Sequence, residues 1–378
     1  MAADSPTRRE VALWAVLLAG AAALAWGGAR RAELERGPLL SDVSGPLREL
    51  ELHFAREAAP LVLPAYADLL RALPPEVSVT VAVGAAEDFE LLRQGLEDAG
   101  VEQLERVHPH VVGRAISTWA RDRCLPRADR PCTTLLVPRR PTDGSSPERR
   151  GDWYVPWSLA AARDGLRLEA LPLRFDGGDL VVGQGVVFCD ANLLAKNVPD
   201  VYPDRDALLR ALEALSGGLR VELIGAREGD VPEHHIGMYL SPLADGSLLV
   251  ADARFAGLDP AREAADLRAQ GLPARASERV AAQCDLVARW LRERGYRVRR
   301  APFFACDDPK VFLTWNNVLQ EVRADGPHVY LPRYGVAWDE RAAEVWRAAG
   351  YAVHPVEVRE IFVHRGSVRC LTQVLARG

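Results

Sequence analysis

The segment Gly366-Ser367-Val368-Arg369-Cys370-Leu371-Thr372-Gln373 lies near the end of the 378-residue chain and carries a cysteine in a short loop that begins with glycine. An apolar, strand-like run (residues 352–363) precedes the loop, and a second one (residues 371–375) follows it. A lone cysteine is most often a small apolar filler, but one that a scaffold presents on a loop can act as a nucleophile. It then needs a base, a carboxylate that orients the base, and a binding site for an electrophile.

The composition is that of an ordinary globular protein, with 48% hydrophobic and 26% charged residues. The formal net charge of −5 gives no reason to expect nucleic acid as a partner. Six cysteines are too few for a disulfide scaffold, and they lack the paired spacing of a zinc site. Cys124 and Cys132 are close enough in sequence to form a bridge in an oxidising compartment, and the sequence leaves that question open.

Residues 1–30 contain an uncharged run, Val11 to Ala29, between Arg8-Arg9 and Arg30-Arg31. A helix of that length would span roughly 28 Å, close to the thickness of a bilayer core. The run therefore predicts a cleaved signal peptide or a membrane anchor, and contact with a membrane if it is not cleaved. Both interpretations place the rest of the chain outside the cytoplasm, most simply in a periplasm.

The remaining chain alternates between apolar strand-like runs and helical patterns. We interpret residues 31–70 as a linker and a lead-in helix, residues 71–378 as one catalytic domain, and residues 138–152 as an exposed excursion. The order of helix, strand, polar loop and hairpin recurs four or five times along the chain. It predicts an α/β fold of short units, which can be arranged as blades around one axis. Helices are predicted over 88–99, 204–215, 277–293 and 340–349.

Four polar clusters stand at the ends of predicted strands or in the loops between them. They are Trp119-Ala120-Arg121-Asp122, Phe175-Asp176-Gly177-Gly178-Asp179, His234-His235-Ile236-Gly237 and the Cys370 loop. The histidine cluster is predicted to begin the first strand of a hairpin that turns at Asp245-Gly246. Each cluster alone has a common structural explanation, as a surface ion pair, a turn or a core histidine. Their order along the chain is what makes them informative.

In that order the clusters resemble those of the pentein, or guanidino-group-modifying, superfamily, which includes arginine, agmatine and peptidylarginine deiminases and amidinotransferases. The Trp-x-Arg-Asp motif matches Trp119 to Asp122, the Asp-Gly-Gly-Asp motif matches Asp176 to Asp179, and the Cys-Leu-Thr ending matches Cys370 to Thr372. The resemblance covers the chain from about residue 77 to its end. It implies a five-bladed, pseudo-symmetric α/β propeller that needs no metal or cofactor.

The resemblance also implies a role for each residue. Cys370 would attack the carbon of a guanidino group, such as that of arginine, agmatine or peptidyl-arginine, and form a covalent amidino intermediate. His235 would protonate the leaving nitrogen and then deprotonate water, while Asp176 orients it. The substrate-binding residues would be Asp122, Trp119 and Asp179, because carboxylates hold a guanidinium by charge-assisted hydrogen bonds.

One position departs from the family pattern. The family's histidine usually belongs to His-x-Asp, and the second residue after His235 is Gly237. If residues 233–237 form a strand, Glu233 faces the same side as His235 and can supply the missing carboxylate. Alternatively, Gly237 makes room for a substituted guanidine. Three functions stay open at this point: a deiminase-type hydrolase, which we favour, an amidinotransferase with the same residues, and a pentein that binds a ligand without catalysis.

Overall fold

The structure, a computed structural model, describes residues 35–140, 146–255 and 259–378. The predicted signal peptide or anchor at residues 1–30 lies outside these ranges. Within the described residues, none of the helices combines the length and the apolar character needed to cross a bilayer. The six cysteines are all buried and free, so Cys124 and Cys132 are not bridged in this structure.

The described residues form eighteen strands and ten α-helices. The strands are β1 (Leu47–Phe54), β2 (Ser78–Val83), β3 (Val107–Val111), β4 (Leu125–Arg127), β5 (Thr133–Val137), β6 (Leu166–Ala170), β7 (Val181–Val182), β8 (Val186–Asp190), β9 (Arg220–Ile224), β10 (Leu240–Pro242), β11 (Leu248–Asp252), β12 (Ala274–Arg275), β13 (Val298–Cys306), β14 (Phe312–Thr314), β15 (Leu319–Arg323), β16 (Gly326–Arg333), β17 (Ala352–Glu357) and β18 (Thr372–Arg377). The helices are α1 (Ala59–Ala72), α2 (Ala86–Asp98), α3 (Pro147–Asp152), α4 (Val155–Ala162), α5 (Ala191–Asn197), α6 (Arg205–Leu215), α7 (Pro260–Ala269), α8 (Glu278–Glu293), α9 (Ala337–Ala348) and α10 (Val368–Leu371).

One supersecondary unit recurs along the chain. An antiparallel strand pair is followed by one or more helices and by a third strand that lies parallel to the second. This pattern gives the sheets β4-β5-β6, β7-β8-β9 and β15-β16-β17, and with extra strands the sheet β10-β11-β13-β12. The described residues thus contain five sheets, which is the number of blades that the resemblance implies. Their arrangement around a common axis stays a prediction.

The fifth sheet joins the first and the last of the described strands. Its order is β18-β1-β2-β3, with β18 antiparallel to β1 and β2 parallel to β1, so the C-terminal strand takes the place of the first strand of a hairpin. The interpretation of residues 31–70 as a linker and a helix is therefore wrong over Leu47–Phe54, which is a central strand. The lead-in helix exists as α1, Ala59–Ala72. Because β18 begins at Thr372, two residues after Cys370, this closure fixes the position of the cysteine loop.

Amphipathic helices cover the sheets, and their bounds follow the apolar spacing in the sequence. Helix α8 begins after Ser277, whose side chain accepts a hydrogen bond from the backbone nitrogen of Val280. It buries Val280, Cys284, Val287 and Leu291, which lie on one face of a helix of 3.6 residues per turn. Full burial of a valine or leucine side chain contributes about 1.5–3 kcal/mol. The predicted helices at 88–99, 204–215, 277–293 and 340–349 are all present within three residues of their predicted ends.

Candidate active site

Cys370 lies in the single-turn helix α10, immediately before β18. Its side chain is buried, with 2% exposed, and its backbone nitrogen donates a hydrogen bond to Oδ1 of Asn317 (3.3 Å). The ring of Trp119 packs against Gly366 so closely that a Cβ atom there would lie 2.2 Å from the ring. The glycine that opens the cysteine loop is therefore required by the tryptophan of another motif, and Trp119 shapes the loop.

The structure places the imidazole of His235 next to Cys370. Its Nδ1 atom lies 4.0 Å from Sγ of Cys370, and its Nε2 atom lies 3.8 Å from a carboxylate oxygen of Asp176. The ring lies directly over Gly178, where a Cβ atom would come within 2.3 Å of Nδ1. The second glycine of the Asp-Gly-Gly-Asp motif therefore creates the space that His235 occupies. The structure brings together Cys370, His235 and Asp176, whose roles predicted from the sequence are those of nucleophile, base and orienting carboxylate.

The charges around His235 favour the imidazolium form. Burial lowers the pKa of His235, but the hydrogen bonds to Asp176 and Cys370 and the negative charges of Asp122 and Asp179 outweigh that effect and raise the pKa to about 10. Burial raises the pKa of Asp176, and Lys196, His235 and Arg123 reverse the effect, so the pKa of this carboxyl is well below its usual value. The pair therefore places a cation beside Sγ of Cys370.

Asp122 holds an arginine of the chain itself. Arg149, from helix α3, donates hydrogen bonds to Oδ2 of Asp122 and to Oδ2 of Asp152 (3.0 Å), and its Nη2 atom lies 3.8 Å from Asp176. The Oδ1 atom of Asp122 is buried and has no hydrogen-bond partner among the described residues. Residues 138–152 were predicted to be an exposed excursion; residues 141–145 lie outside the described ranges, and the prediction is wrong at Asp152, which is completely buried and accepts hydrogen bonds from the backbone nitrogen and the hydroxyl of Ser117. No feature of the sequence indicated that Arg149 would enter the site.

Arg369 fills the space beside Gly237. A Cβ atom on Gly237 would lie 2.9 Å from Nη1 of Arg369, so the residue that the family usually has here would collide with this guanidinium. Arg369 is held by Asp42 instead (Nη2 to Oδ2, 3.0 Å), and Asp42 also pairs with Arg121 (3.2 Å). We call Asp42, Arg121 and Arg369 the Arg369 cluster. The glycine therefore accommodates a side chain of this protein.

The strand that would place Glu233 on the same side as His235 is absent from the structure. The predicted strand over residues 233–237 is wrong, because β10 begins only at Leu240 and a 3-10 turn, Ile236–Met238, follows His235. His234 has a φ of 77°, which turns the chain between Glu233 and His235. Glu233 is about one-third exposed and lies 3.4 Å from Arg279. Glu233 and His235 therefore do not face the same side of a strand, in contrast to the prediction from the sequence.

A cavity of about 520 Å³ opens beside the site. Its wall includes Asp176, Lys196, Glu233, His234 and Arg365. His234 stacks on His235 with 3.9 Å between ring centroids, and its Nε2 atom lies 2.7 Å from the carbonyl oxygen of Arg365 in the cysteine loop. The imidazole of His234 therefore lies between the cavity and the base.

Asp179 has the contacts of a positioning residue. It accepts a hydrogen bond from Lys196 (2.6 Å) and another from the backbone nitrogen of Asp176 (2.8 Å), so it fixes the turn that carries Asp176. Among the described residues, no group of three or more His, Cys, Asp or Glu side chains is arranged to hold a metal ion.

Solved structures of agmatine deiminases share this fold. The agmatine deiminase of C. jejuni superposes with a TM-score of 0.67 and 15% sequence identity, over 90% of this chain and 95% of that chain. The agmatine deiminase of Enterococcus faecalis gives a TM-score of 0.62 and 15% identity, over 90% and 95% of the two chains. No protein-family model matches the sequence, and the comparison with curated proteins gives no match. The chain therefore has the fold of the pentein superfamily.

Proposed function

We propose that this protein is a hydrolase of guanidino C–N bonds that uses Cys370 as its nucleophile. The observation that carries the proposal is the line of groups from Sγ of Cys370 to Nδ1 of His235 (4.0 Å) and from Nε2 of His235 to Asp176 (3.8 Å). Three groups from distant parts of the chain meet in the order that nucleophilic catalysis requires: nucleophile, base and orienting carboxylate. The fold that the chain shares with agmatine deiminases makes agmatine the first substrate to test.

The proposed reaction begins with attack on the guanidinium carbon. The thiolate of Cys370 forms an S–C bond, and the imidazolium of His235 gives its proton to the leaving nitrogen as the C–N bond breaks and ammonia departs. The amidino group is then bonded to Cys370. His235, now neutral, takes a proton from water, whose oxygen attacks the same carbon. The S–C bond breaks, the protonated ureido product leaves and gives its extra proton to the released ammonia in solvent, and the thiolate and the imidazolium are restored.

Asp122 is the proposed clamp for the substrate's guanidinium. Its Oδ1 atom is a buried acceptor without a partner among the described residues, and a buried acceptor that stays unpaired costs about 1–3 kcal/mol. A planar cation that reaches Asp122 from the side of Cys370 can satisfy it. Arg149 already demonstrates the kind of ligand that this carboxylate accepts, because its own guanidinium is bound there.

The test is to incubate the purified protein with agmatine, with free arginine and with an arginine-containing peptide. We expect ammonia and a ureido product in equal amounts, and none from the Cys370→Ser variant. Product that forms only after addition of an acceptor amine would identify an amidinotransferase instead. If no guanidino compound yields product or forms an adduct on Cys370 that mass spectrometry detects, the hydrolase proposal is wrong and a binding protein remains.

A further inference from the structure

Asp42 belongs to the segment that precedes β1, far in sequence from the four motifs. Its carboxylate accepts hydrogen bonds from Nε (3.2 Å) and Nη2 (3.0 Å) of Arg369, pairs with Nη2 of Arg121 (3.2 Å), and accepts a hydrogen bond from the backbone nitrogen of Val182 (2.7 Å). The backbone nitrogen of Asp42 donates in return to the carbonyl oxygen of Val182 (2.8 Å). Side chain and backbone of Asp42 are therefore both fixed.

The two arginines that Asp42 holds belong to different motifs of the site. Arg121 directly precedes Asp122, and its Nε atom donates to the carbonyl oxygen of Gly177, next to Asp176. Arg369 directly precedes Cys370, and its Nη2 atom donates to the carbonyl oxygen of Leu180 (2.7 Å), at the end of the Asp-Gly-Gly-Asp turn. One carboxylate thus connects the Trp-x-Arg-Asp motif, the Asp-Gly-Gly-Asp motif and the cysteine loop.

The cluster needs Asp42 because two buried cations lie side by side. Arg121 and Arg369 are each about 5% exposed, and within the described ranges Asp42 is the only carboxylate that forms an ion pair with either of them. Burial and the charge of Arg369 lower the pKa of Arg121 to about 10, while Asp42 acts in the opposite direction. Removal of one partner from a buried pair leaves an uncompensated charge, which is strongly destabilising.

We propose that Asp42 is a positioning residue of the active site. By binding Arg369 and Arg121 it fixes the position of Cys370 relative to Asp122. The proposal rests on the proposed hydrolase function for its kinetic consequence but not for its structural one. Gly237 contributes to the Arg369 cluster, because the absence of a side chain at this residue leaves the space that Arg369 occupies. The segment before β1 therefore supplies a positioning residue to the site.

The role in positioning predicts two opposite effects when Asp42 loses its charge. Turnover falls, because Cys370 and Asp122 are no longer aligned, and a misplacement of 1 Å costs about 100-fold in rate. The thiolate, in contrast, becomes easier to form, because Arg121 and Arg369 keep their charge without a counter-ion. The charged groups that act on Cys370 are His235 and Arg121; Arg369 acts on Arg121, and Asp176, Asp122 and Asp179 act on His235.

The experiment compares Asp42→Asn with Asp129→Asn, a matched control. Asp129 is a second buried aspartate that holds an arginine, Arg127 (two contacts of 2.8 Å), and that also accepts a hydrogen bond from the segment before β1, at Gly37 (2.9 Å). The remaining hydrogen bond to its carboxylate comes from the hydroxyl of Thr134 (2.6 Å), and none of these three partners belongs to the four motifs. We expect Asp42→Asn to lower Tm by about 10 °C, because it leaves two buried arginines without a carboxylate, and Asp129→Asn to lower it less, because Arg127 keeps Glu169 as a partner (2.9 Å).

The two variants should differ at Cys370. In Asp42→Asn the rate of alkylation of Cys370 by iodoacetamide should reach half of its maximum about one pH unit lower than in the wild type, and kcat for agmatine should fall about 100-fold with a smaller change in KM. In Asp129→Asn both readouts should match the wild type. Asp42→Glu, which keeps the carboxylate, should recover part of kcat.

Equal alkylation profiles for Asp42→Asn and the wild type would overturn the proposal, as would equal losses of kcat in Asp42→Asn and Asp129→Asn, since those results leave Asp42 only a structural role. If Asp42→Asn does not fold, the same profile is measured for Asp42→Asn combined with Arg369→Met, which removes one of the two uncompensated charges. The alkylation readout needs no turnover, so a protein that hydrolyses no guanidino compound would reject the proposed function and still test Asp42.

Discussion

Two aspartates hold arginines on either side of the candidate nucleophile, and they differ in one respect. Arg369, which Asp42 holds, has 6% of its side chain exposed, whereas Arg149, which Asp122 holds, has 26% exposed. The first guanidinium sits in a cluster that also contains Arg121 and the carbonyl oxygen of Leu180. The second extends from the six-residue helix α3 and contacts Asp122, Asp152 and Asp176.

The difference indicates which guanidinium is part of the framework and which one a ligand can replace. Arg369 is surrounded by protein and is adjacent to Cys370 in the chain, so it cannot leave without moving the nucleophile. Arg149 is 26% exposed and distant in sequence from the nucleophile, so it can turn towards solvent without moving Cys370, and it occupies the carboxylate that we assign to the substrate. The site thus contains one fixed arginine and one that we expect the substrate to displace.

The comparison is meaningful only if Cys370 is the reacting group, so this residue carries the largest expected effect. Cys370→Ser should lower the rate of agmatine hydrolysis by at least about 1,000-fold, because a serine hydroxyl is a far weaker nucleophile under the same base. Cys284→Ser is the control, since Cys284 is a buried cysteine of helix α8 outside the site. Similar rates for the wild type and Cys370→Ser would remove the reason to compare the two arginines.

The contrast between a fixed and a replaceable arginine is tested by the free energy of unfolding. Asp42→Asn leaves Arg121 and Arg369 without a carboxylate and should cost about 3–5 kcal/mol. Asp122→Asn should cost only about 1–2 kcal/mol, because Arg149 keeps Asp152 as a partner. Urea denaturation of both variants measures the difference. Equal losses of unfolding free energy in the two variants would mean that Arg369 and Arg149 are bound equally strongly, although Arg149 is more exposed.

A third test uses the pH dependence of stability around His235. Its folded pKa of about 10 exceeds the ordinary value of 6.5, so its contribution is fully present below about pH 6.5 and is lost as the pH rises towards 10. The stability difference between the wild type and His235→Gln should narrow by about 2 kcal/mol between about pH 7 and pH 9. His53, with a raised pKa of about 9, is present in both proteins and cancels in the difference. A constant difference would show that His235 is not held as a cation.

Replacement of Arg149 tests whether the substrate displaces this arginine from Asp122. Arg149→Met frees Asp122 for an external guanidinium, so KM for agmatine should fall about tenfold, which corresponds to about 1.4 kcal/mol. Arg139→Met, at an exposed position of the preceding loop, is the control and should leave KM unchanged. A rise in KM for Arg149→Met would mean that Arg149 binds the substrate and does not compete with it.

Much of this architecture could be predicted from the sequence. The motifs identified Cys370, His235, Asp176 and Asp122, because each lies beside glycines or strand ends that leave a readable pattern. The linker prediction failed at Leu47–Phe54, since the partner of that strand is β18, more than 300 residues away, and local patterning carries no information about it. The strand predicted through His235 failed because the chain turns at His234, a non-glycine residue with positive φ.

The two arginines beside the site could not be predicted for a different reason. Arginine is so abundant in this sequence that Arg149 and Arg369 resemble many solvated surface residues. Their roles depend on Asp42, Asp122 and Asp152, which reach them only in the folded chain. Gly237 was recognisable as a departure, but only the structure shows that a side chain of the protein itself fills the space.

The smallest expected effect concerns Gly237 itself. In Gly237→Ala the new Cβ atom would lie 2.9 Å from Nη1 of Arg369, the end of a flexible side chain, so Arg369 should shift by a few tenths of an ångström while it keeps Asp42. We expect a loss of about 1 kcal/mol in the free energy of unfolding and only a slight fall in kcat. Gly95→Ala, in helix α2, is the control, because its new Cβ atom would also meet the end of a flexible side chain, that of Leu63, at 2.8 Å. A loss as large as that of Asp42→Asn would mean that Arg369 cannot move at all, and that the fixed side of the site tolerates no adjustment.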